Sequence, residues 1–310
     1  AEKNSAYFKQ GRQSFEAWAE AIYRQDLDVI YYPEIGLDSL VANLACLRLA
    51  PVQITSWGNP LTSGLSTIDH FISAEVFESG EASEHYTEQL HLLHSFPSYY
   101  EGYEGAAEPV EGTAFGLDAD KKWLLCAGTA FKYQFDFVKV YADIAEAADD
   151  VQLVFFQFDT YIFNVVKQKL QDEFRVRGLA PGKLVFCPWL TRAQYQYVMH
   201  KSCLLLDSIG FSGINTVMQA LEVGLPVVTV RGELLRGRLG SGVLDAVGMQ
   251  DWVAQTQEDY VRLALRLLAD GSLREAYRQR LQQLKPQMFG NRACVDETYA
   301  LIRALAQMKI

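Results

Sequence analysis

Short apolar runs alternate with longer amphipathic segments through residues 123–230, and this alternation restricts the fold more than any other feature of the chain. The runs lack the apolar–polar alternation of half-exposed strands, which is typical of parallel strands covered by helices on both faces. Strand and helix in regular succession predict a doubly wound α/β domain, whose ligands bind at the carboxyl ends of its strands. The predicted strands are Trp123–Ala127, Val151–Phe158, Lys183–Cys187, Cys203–Asp207 and Pro226–Val230, and the predicted helices are Asp136–Ala148, Ile162–Arg177, Ala193–Lys201 and Asn215–Val223.

The first hundred residues carry fewer strand signals, too few for a second complete domain of this type. The stretch Tyr100–Asp120 is rich in Gly, Glu and Ala and predicts a linker. We therefore expect a partial N-terminal Rossmann-like domain in residues 1–104, a linker in 105–120, a C-terminal Rossmann-like domain in 121–290 and a last helix in 291–310, after a break at Pro286–Asn291. The first part is predicted to hold strands Asp28–Tyr32, Gln53–Trp57 and Asp69–Ser73 and helices Phe15–Arg24 and Leu37–Leu49.

Charge and cysteine usage exclude several classes of protein. The net charge of −10, from 28 basic and 38 acidic residues, excludes a uniformly basic nucleic-acid binder. No apolar run reaches the roughly 18–20 residues that span a bilayer, and the polar N-terminus predicts no secretory signal. The five cysteines are spread along the chain without a C-x-x-C pair, which favours reduced thiols in a cytoplasmic protein. No metal site is predicted, because His91 and His94 lack partners at ligand spacing.

Three loop motifs fall where a site is expected. The turn Phe211–Thr216 precedes a helix, where Asn215 and Thr216 can cap it and where the helix N-terminus suits a phosphate; a plain helix start is the alternative. Lys132 follows the strand Trp123–Ala127 and can offset the charge of a diphosphate, unless it is only a solvated lysine. The loop Trp57–Gly64 offers backbone donors, or is a structural turn. Asp-x-Asp pairs precede strands and are interpreted as loop acids.

These motifs occur in a familiar order. Residues 212–229, with the pattern S-G-x-N-T-x(5)-E-x-G-L-P-V-V-T, follow stretches such as DVIYYPEIGLD, SWGNPLTSG, FKY and LVFCPWL. Together they resemble the catalytic region of the protein O-GlcNAc transferases, particularly bacterial Spindly-type members of glycosyltransferase family 41. The resemblance implies a GT-B fold, in which two Rossmann-like domains face a cleft and the last helix crosses back to the first domain. It also implies metal-independent inverting transfer of GlcNAc or another hexose from a nucleotide sugar, UDP-linked rather than GDP-linked, to a protein Ser/Thr.

The resemblance also implies a donor site on the second domain. Lys132 would stabilise the diphosphate as it leaves, and Gln219 would bind the ribose hydroxyls where the family often has Asp. The base would lie against the loop and helix that carry Leu190, Arg192 and Tyr195. The phosphate and sugar turn would consist of Ser212, Gly213, Ile214, Asn215 and Thr216, and the loop facing the donor from the first domain would include Gly58, Asn59 and Pro60.

Some family features are absent. Asn59 stands where many bacterial relatives have His, Val198 replaces a basic contact to the base, and the N-terminal half of the first domain is missing. No general base is identified, since His70 and His85 are interpreted as structural. The enzyme hypothesis therefore needs additional residues or a partner chain that completes the first domain. The alternative is a catalytically inactive subunit that binds a nucleotide sugar or a partner glycosyltransferase. A phosphorylase or epimerase on the same scaffold is a weaker third hypothesis.

Overall fold

The computed structural model describes residues 5–133, 137–157 and 161–308, without the Thr113 side chain. The chain forms two compact units. Unit 1 comprises Ala1–Ser73, Glu81–Leu93 and Asp296–Ile310, and unit 2 comprises Ala74–Gly80 and His94–Val295. Some predicted boundaries lie outside the described residues. They are the helix start at Asp136, the strand end at Phe158 and the outer limits of the domain map at residues 1 and 310.

Unit 2 is built on a six-stranded parallel sheet with the order β10-β9-β8-β5-β6-β7. This is the strand order of a doubly wound dinucleotide-binding fold, and the order reverses between β5 and β8. The strands are β5 (Lys122–Cys126), β6 (Val151–Phe156), β7 (Leu184–Cys187), β8 (Leu204–Leu206), β9 (Val227–Val230) and β10 (Val253–Ala254). The helices are α3 (Phe137–Ala147), α4 (Tyr161–Val176), α5 (Arg192–Lys201), α6 (Asn215–Val223), α7 (Leu239–Ala246), α8 (Gln257–Ala269) and α9 (Gly271–Met288).

Burial explains why the strands of unit 2 are apolar throughout. Every residue of β6 and β8 is buried. The one polar side chain within β6, Gln152, has its amide satisfied, because it donates to the carbonyl oxygens of Gly116 and Gly182 and accepts from the Asp118 N–H. A sheet covered on both faces therefore tolerates a polar residue only where each of its polar atoms finds a partner.

Unit 1 contains a smaller sheet with the order β1-β2-β3-β4. Its strands are β1 (Val29–Tyr32), β2 (Val52–Ser56), β3 (His70–Ala74) and β4 (Gln89–Leu93), and its helices are α1 (Phe15–Tyr23) and α2 (Ser39–Ala45), with α10 (Ala293–Gln307) ending the described chain. The β1–β2 and β2–β3 pairs are parallel and every residue of β2 is buried. Unit 1 is a partial α/β domain.

Three details of the predicted element map are wrong. Strands β4 and β10 are absent from it, because β4 buries little of its surface and β10 has only two residues. The predicted break begins at Pro286, but Pro286 lies inside α9, which ends at Met288. Pro286 has no N–H to donate to the carbonyl oxygen four residues earlier, and α9 ends two residues after it. Helix α2 is also shorter than predicted. No described helix is long and apolar enough to cross a membrane.

Candidate functional site

A pocket of about 530 Å³ opens at the carboxyl ends of the unit 2 strands. Its walls come from the segments that follow β5, β7 and β8 and from the end of β6, so it lies where the strand order reverses. This is the usual position for a ligand in a doubly wound sheet. The residues that line it are Ala127, Thr129, Phe156, Trp189, Leu190, Thr191, Arg192, Tyr195, Asn215, Thr216 and Gln219.

The buried carboxylate of Asp207 organises the turn next to this pocket. Oδ1 accepts from the Gly213 N–H at 2.9 Å, and Oδ2 accepts from the Ser212 hydroxyl at 2.5 Å. The Thr229 hydroxyl on β9 also donates to Oδ2, at 2.8 Å. Burial raises the pKa of Asp207, while these donors and the nearby ammonium of Lys132 act in the opposite direction. One carboxylate therefore ties the end of β8 to the turn and to β9.

Two glycines in this region lie close to neighbouring side chains. A Cβ on Gly213 would lie 2.2 Å from the Thr216 hydroxyl, which belongs to the pocket wall. A Cβ on Gly240, in α7, would lie 2.4 Å from Oδ2 of Asp207 and 2.7 Å from the Ser212 hydroxyl. The Gly240 N–H also donates to that hydroxyl, at 2.6 Å. The turn is thus packed against α7 without room for another side chain.

Helix α6 begins at the pocket without a side-chain cap. Its N-cap is Ile214, which makes no capping hydrogen bond, so the prediction that Asn215 and Thr216 cap the helix is wrong. Both side chains line the pocket instead, together with Gln219 one turn later. The N–H groups of a first helical turn have no partner within the helix and carry a partial positive charge. The arrangement favours an anion at this end of the pocket.

Lys132 lies beside the same turn. Its Nζ donates to the Ser212 carbonyl oxygen at 3.0 Å and lies 5.0 Å from the centre of the Phe211 ring. Burial lowers the pKa of Lys132, and Asp207 partly offsets this effect. Lys132 itself is not among the residues that line the pocket, nor are Ser212, Gly213 and Ile214.

The predicted base-binding residues meet at the opposite wall. Leu190, Arg192 and Tyr195 all line the pocket, and Tyr195 packs edge-on against Phe156 with ring centres 5.2 Å apart. The hydroxyls of Tyr195 and Thr129 are buried and have no hydrogen-bond partner among the described residues. Burial raises the pKa of Tyr195. Buried polar groups in proteins are nearly always paired, so these two hydroxyls are exceptions at the edge of the pocket.

The predicted loop residues of unit 1 have structural contacts of their own. The Asn59 amide donates to the Ile35 carbonyl oxygen at 2.6 Å, and a Cβ on Gly58 would overlap the Pro33 carbonyl oxygen. Pro60 is buried in the same loop. The carboxylate of Glu88 accepts from the Thr62 hydroxyl at 2.7 Å and from the Ser63 N–H at 2.8 Å. The role of Gly58, Asn59 and Pro60 towards a donor stays a prediction.

The histidines of unit 1 do not supply an evident base. His70 Nδ1 lies 3.1 Å from His91 Nε2. The pKa of His91 is lowered mainly by burial and to a smaller extent by the nearby His70. His85 lies in a short 3-10 helix, Ala82–His85. Neither a carboxylate nor a histidine is among the residues that line the unit 2 pocket. Within the described ranges no group of three or more His, Cys, Asp or Glu side chains could hold a metal.

Six residues of this site were not identified from the sequence, namely Asp207 and the lining residues Ala127, Thr129, Phe156, Trp189 and Thr191. Asp207 is predicted only as the last residue of the strand Cys203–Asp207. A charged residue at the end of an apolar strand is nevertheless a signal that it has a buried partner. Thr129 and Trp189 were not singled out. The Trp189 side chain is 72% exposed although it lines the pocket, and its position two residues after β7 was the available signal.

Comparison with known proteins agrees with this geometry. The family model "Glycosyl transferase family 41" matches residues 127–295. A barley (Hordeum vulgare) protein named as a probable UDP-N-acetylglucosamine–peptide N-acetylglucosaminyltransferase SPINDLY is 27% identical over 265 residues, which is 84% of this chain and 27% of that protein. A UDP-glucose:protein N-beta-glucosyltransferase of Actinobacillus pleuropneumoniae serotype 7 is 23% identical over 242 residues, covering 77% of this chain and 38% of the relative. The chain thus spans well under half of these relatives.

A solved structure supports the fold. A mutant O-GlcNAc transferase of Thermobaculum terrenum aligns with a TM-score of 0.80 and 23% identity, over 96% of this chain and 56% of that one. The predicted GT-B type α/β fold is therefore confirmed. The family model covers more than half of the chain and includes the whole pocket. The chain belongs to glycosyltransferase family 41, a family of enzymes.

Proposed function

We propose that unit 2 binds the nucleoside diphosphate part of a UDP-linked nucleotide sugar. We further propose that the protein transfers a hexose such as GlcNAc from this donor to a protein Ser/Thr hydroxyl, with inversion and without a metal. The observation that carries this proposal is the Asp207 network, which fixes a glycine turn and the uncapped start of α6 at the pocket. A buried carboxylate is costly unless it is paired or hydrogen-bonded, and Asp207 meets this condition through the donors of the turn and of β9. Here these hydrogen bonds orient backbone donors towards an anion.

The diphosphate end would be stabilised by two sources of positive charge. The first turn of α6 offers N–H groups, and the Asn215 and Thr216 side chains add polar contacts in the pocket wall. Lys132 lies behind the turn, hydrogen-bonded to the Ser212 carbonyl oxygen. As the bond between sugar and phosphate breaks, negative charge grows on the departing diphosphate, and fixed dipoles and cations lower the energy of that state. No cofactor is invoked in this step.

The nucleoside end would occupy the wall formed by Leu190, Arg192 and Tyr195. The Tyr195 hydroxyl, which has no protein partner in the part of the chain described, would turn towards a ribose or base oxygen. Gln219 would hydrogen-bond the ribose hydroxyls, as an amide can donate and accept. The relatives named above carry UDP-sugar names, which favours UDP over GDP.

The alternative is a catalytically inactive subunit that binds a nucleotide sugar. One observation favours it: no lining residue of the pocket is a carboxylate or histidine that could take the acceptor proton. In the enzyme hypothesis the acceptor base comes from elsewhere in the intact protein or from a partner chain.

A transfer assay separates the two. The intact protein is incubated with UDP-GlcNAc or UDP-glucose and a protein acceptor, and free UDP and acceptor-bound sugar are both measured. We expect equal amounts of both products and a loss of about 100-fold in Lys132→Ala, the size typical of removing a stabiliser of developing charge. Lys139→Ala, an exposed lysine of α3, is the matched control. Donor binding without UDP release would support the inactive subunit, and no donor binding would reject both.

A further inference from the structure

A segment without regular secondary structure, residues 100–105, lies against the two helices that form the nucleotide pocket of unit 2. We call it the strap. The Tyr103 N–H donates to the Glu222 carboxylate on α6, and just beyond the strap the Glu108 N–H donates to the carbonyl oxygen of Ala193 on α5. At the other end of the strap, Tyr100 forms a bridge with Phe289 after α9. The strap is therefore attached at two points, to α6 at Tyr103 and to the residue after α9 at Tyr100.

The ring of Tyr103 has two close neighbours. A Cβ added on Gly105 would lie 2.2 Å from the ring and its hydroxyl. The Arg192 guanidinium lies over the ring, 4.4 Å from its centre. Stacking of a guanidinium on an aromatic face fixes its plane while leaving its N–H edge available for hydrogen bonds.

Arg192 is well placed to use that edge. It is the first residue of α5, lines the pocket, and forms no ion pair among the described residues. Without the ring, an exposed arginine at a helix start would sample many rotamers, and ordering it on ligand binding would cost free energy. The aromatic support removes part of that cost before the ligand arrives.

Glu222 links the strap to the phosphate end of the site. It lies one turn after Gln219 on α6, the helix whose start faces the proposed diphosphate. One of its carboxylate oxygens accepts from the strap at Tyr103, and a Cβ on Gly102 would lie 3.1 Å from the same oxygen. The same helix that begins at the proposed diphosphate thus also anchors the strap.

We infer that Tyr103 is a positioning residue for nucleobase recognition: its ring holds the Arg192 guanidinium flat at the pocket wall so that the N–H edge meets the carbonyl edge of the base. The inference rests on the proposed nucleotide site. It predicts that Tyr103 affects affinity for the base-containing part of the ligand and leaves binding of the diphosphate part unchanged.

The test compares UDP with inorganic pyrophosphate by calorimetry. Tyr103→Ala should weaken UDP binding about fivefold, the range of a cation–π contact, and leave pyrophosphate binding unchanged. Tyr103→Phe keeps the ring and should bind UDP as the wild type does. Gly105→Ala, whose new Cβ displaces the ring, should repeat the loss. Tyr299→Ala is the matched control, because the Tyr299 ring also contacts an arginine, Arg303, at 5.8 Å, and neither residue lines the pocket.

A double mutant decides whether Tyr103 acts through Arg192. If it does, Tyr103→Ala should have no further effect on UDP affinity in an Arg192→Ala background. Full additivity, or wild-type UDP affinity in Tyr103→Ala, would overturn the inference while leaving the nucleotide site intact. An equal loss for pyrophosphate and UDP would indicate a general structural effect and would also overturn it. Failure of the wild type to bind UDP would instead reject the proposed function, and the inference with it.

Discussion

The Asp207 carboxylate accepts a hydrogen bond from the backbone N–H of Gly213, six residues later, at 2.9 Å. This contact sets the direction of the chain just before α6 begins. The same carboxylate binds side chains from the turn and from β9, so its removal affects three segments at once.

Replacing Asp207 with Asn therefore tests the network. An amide has one acceptor oxygen, so it cannot accept from donors on both sides as the carboxylate does. We expect Asp207→Asn to lower the free energy of unfolding by about 1–3 kcal/mol and to weaken UDP binding, since a buried donor is left unpaired. Thermal unfolding and UDP calorimetry measure both, with Asp172→Asn on α4 as the surface control. Wild-type behaviour in both assays would mean that the turn is held by other contacts.

Gly213→Ala distinguishes an effect on UDP binding at the pocket wall from an effect on the stability of the fold. The new Cβ would lie 2.2 Å from the Thr216 hydroxyl, which can rotate away at small cost to stability. The hydroxyl would then leave the pocket wall. We expect about tenfold weaker UDP binding, which corresponds to the loss of one hydrogen bond to a charged group. The melting temperature should change only slightly. Gly182→Ala is the control, because its Cβ would meet no atom within 4 Å. Unchanged UDP affinity in Gly213→Ala would remove Thr216 from the site.

The hydroxyl of Tyr195 gives a prediction with opposite signs for stability and binding. It is buried without a partner in the described structure, so Tyr195→Phe should leave the unliganded protein equally stable or slightly more stable. If the hydroxyl binds the nucleotide, the same change should weaken UDP binding several-fold. Tyr32→Phe, which removes another unpartnered buried hydroxyl in unit 1, should not affect UDP binding. Loss of UDP affinity in both variants, or in neither, would contradict this assignment.

Lys132 should make nucleotide binding sensitive to alkaline pH. Burial lowers its pKa, so it loses its proton, and its charge, at lower pH than an ordinary lysine does. UDP affinity should therefore fall as the pH rises through the lowered pKa, below the usual value of about 10.4. Lys132→Arg keeps its charge at these pH values and should lose this dependence. Calorimetry from pH 7 to 10 measures it, and an identical slope in both proteins would exclude Lys132 as the titrating group.

The sequence was sufficient for most of the sheet because parallel strands buried on both faces are continuous apolar runs. The runs around Leu124, Val154 and Val228 each became a strand of unit 2. Strand β4 was missed because its sequence, QLHLL, is mostly exposed or half-buried and therefore mixes polar with apolar residues. The family motifs further indicated two of the segments that line the pocket, through Leu190 and Asn215, while the part of Gly58, Asn59 and Pro60 in a donor site stays a prediction.

The Asp207 network lay beyond sequence reasoning because it depends on tertiary packing. Its partners come from the turn, from β9 and, through Ser212, from α7 at Gly240, and no local pattern indicates that these segments meet. The capping prediction failed for a related reason. Asn215 has good capping chemistry, but it lies inside the first turn of α6 and faces the pocket instead.

Metal-independent binding of a nucleoside diphosphate in the unit 2 pocket can be measured by calorimetric titration of the wild type with UDP and GDP, each with Mg²⁺ and with EDTA. We expect micromolar UDP binding that is equal in both conditions and weaker GDP binding. UDP binding should be lost in Lys132→Ala but not in Lys139→Ala. Absence of UDP binding, or binding that requires Mg²⁺, would contradict this proposal.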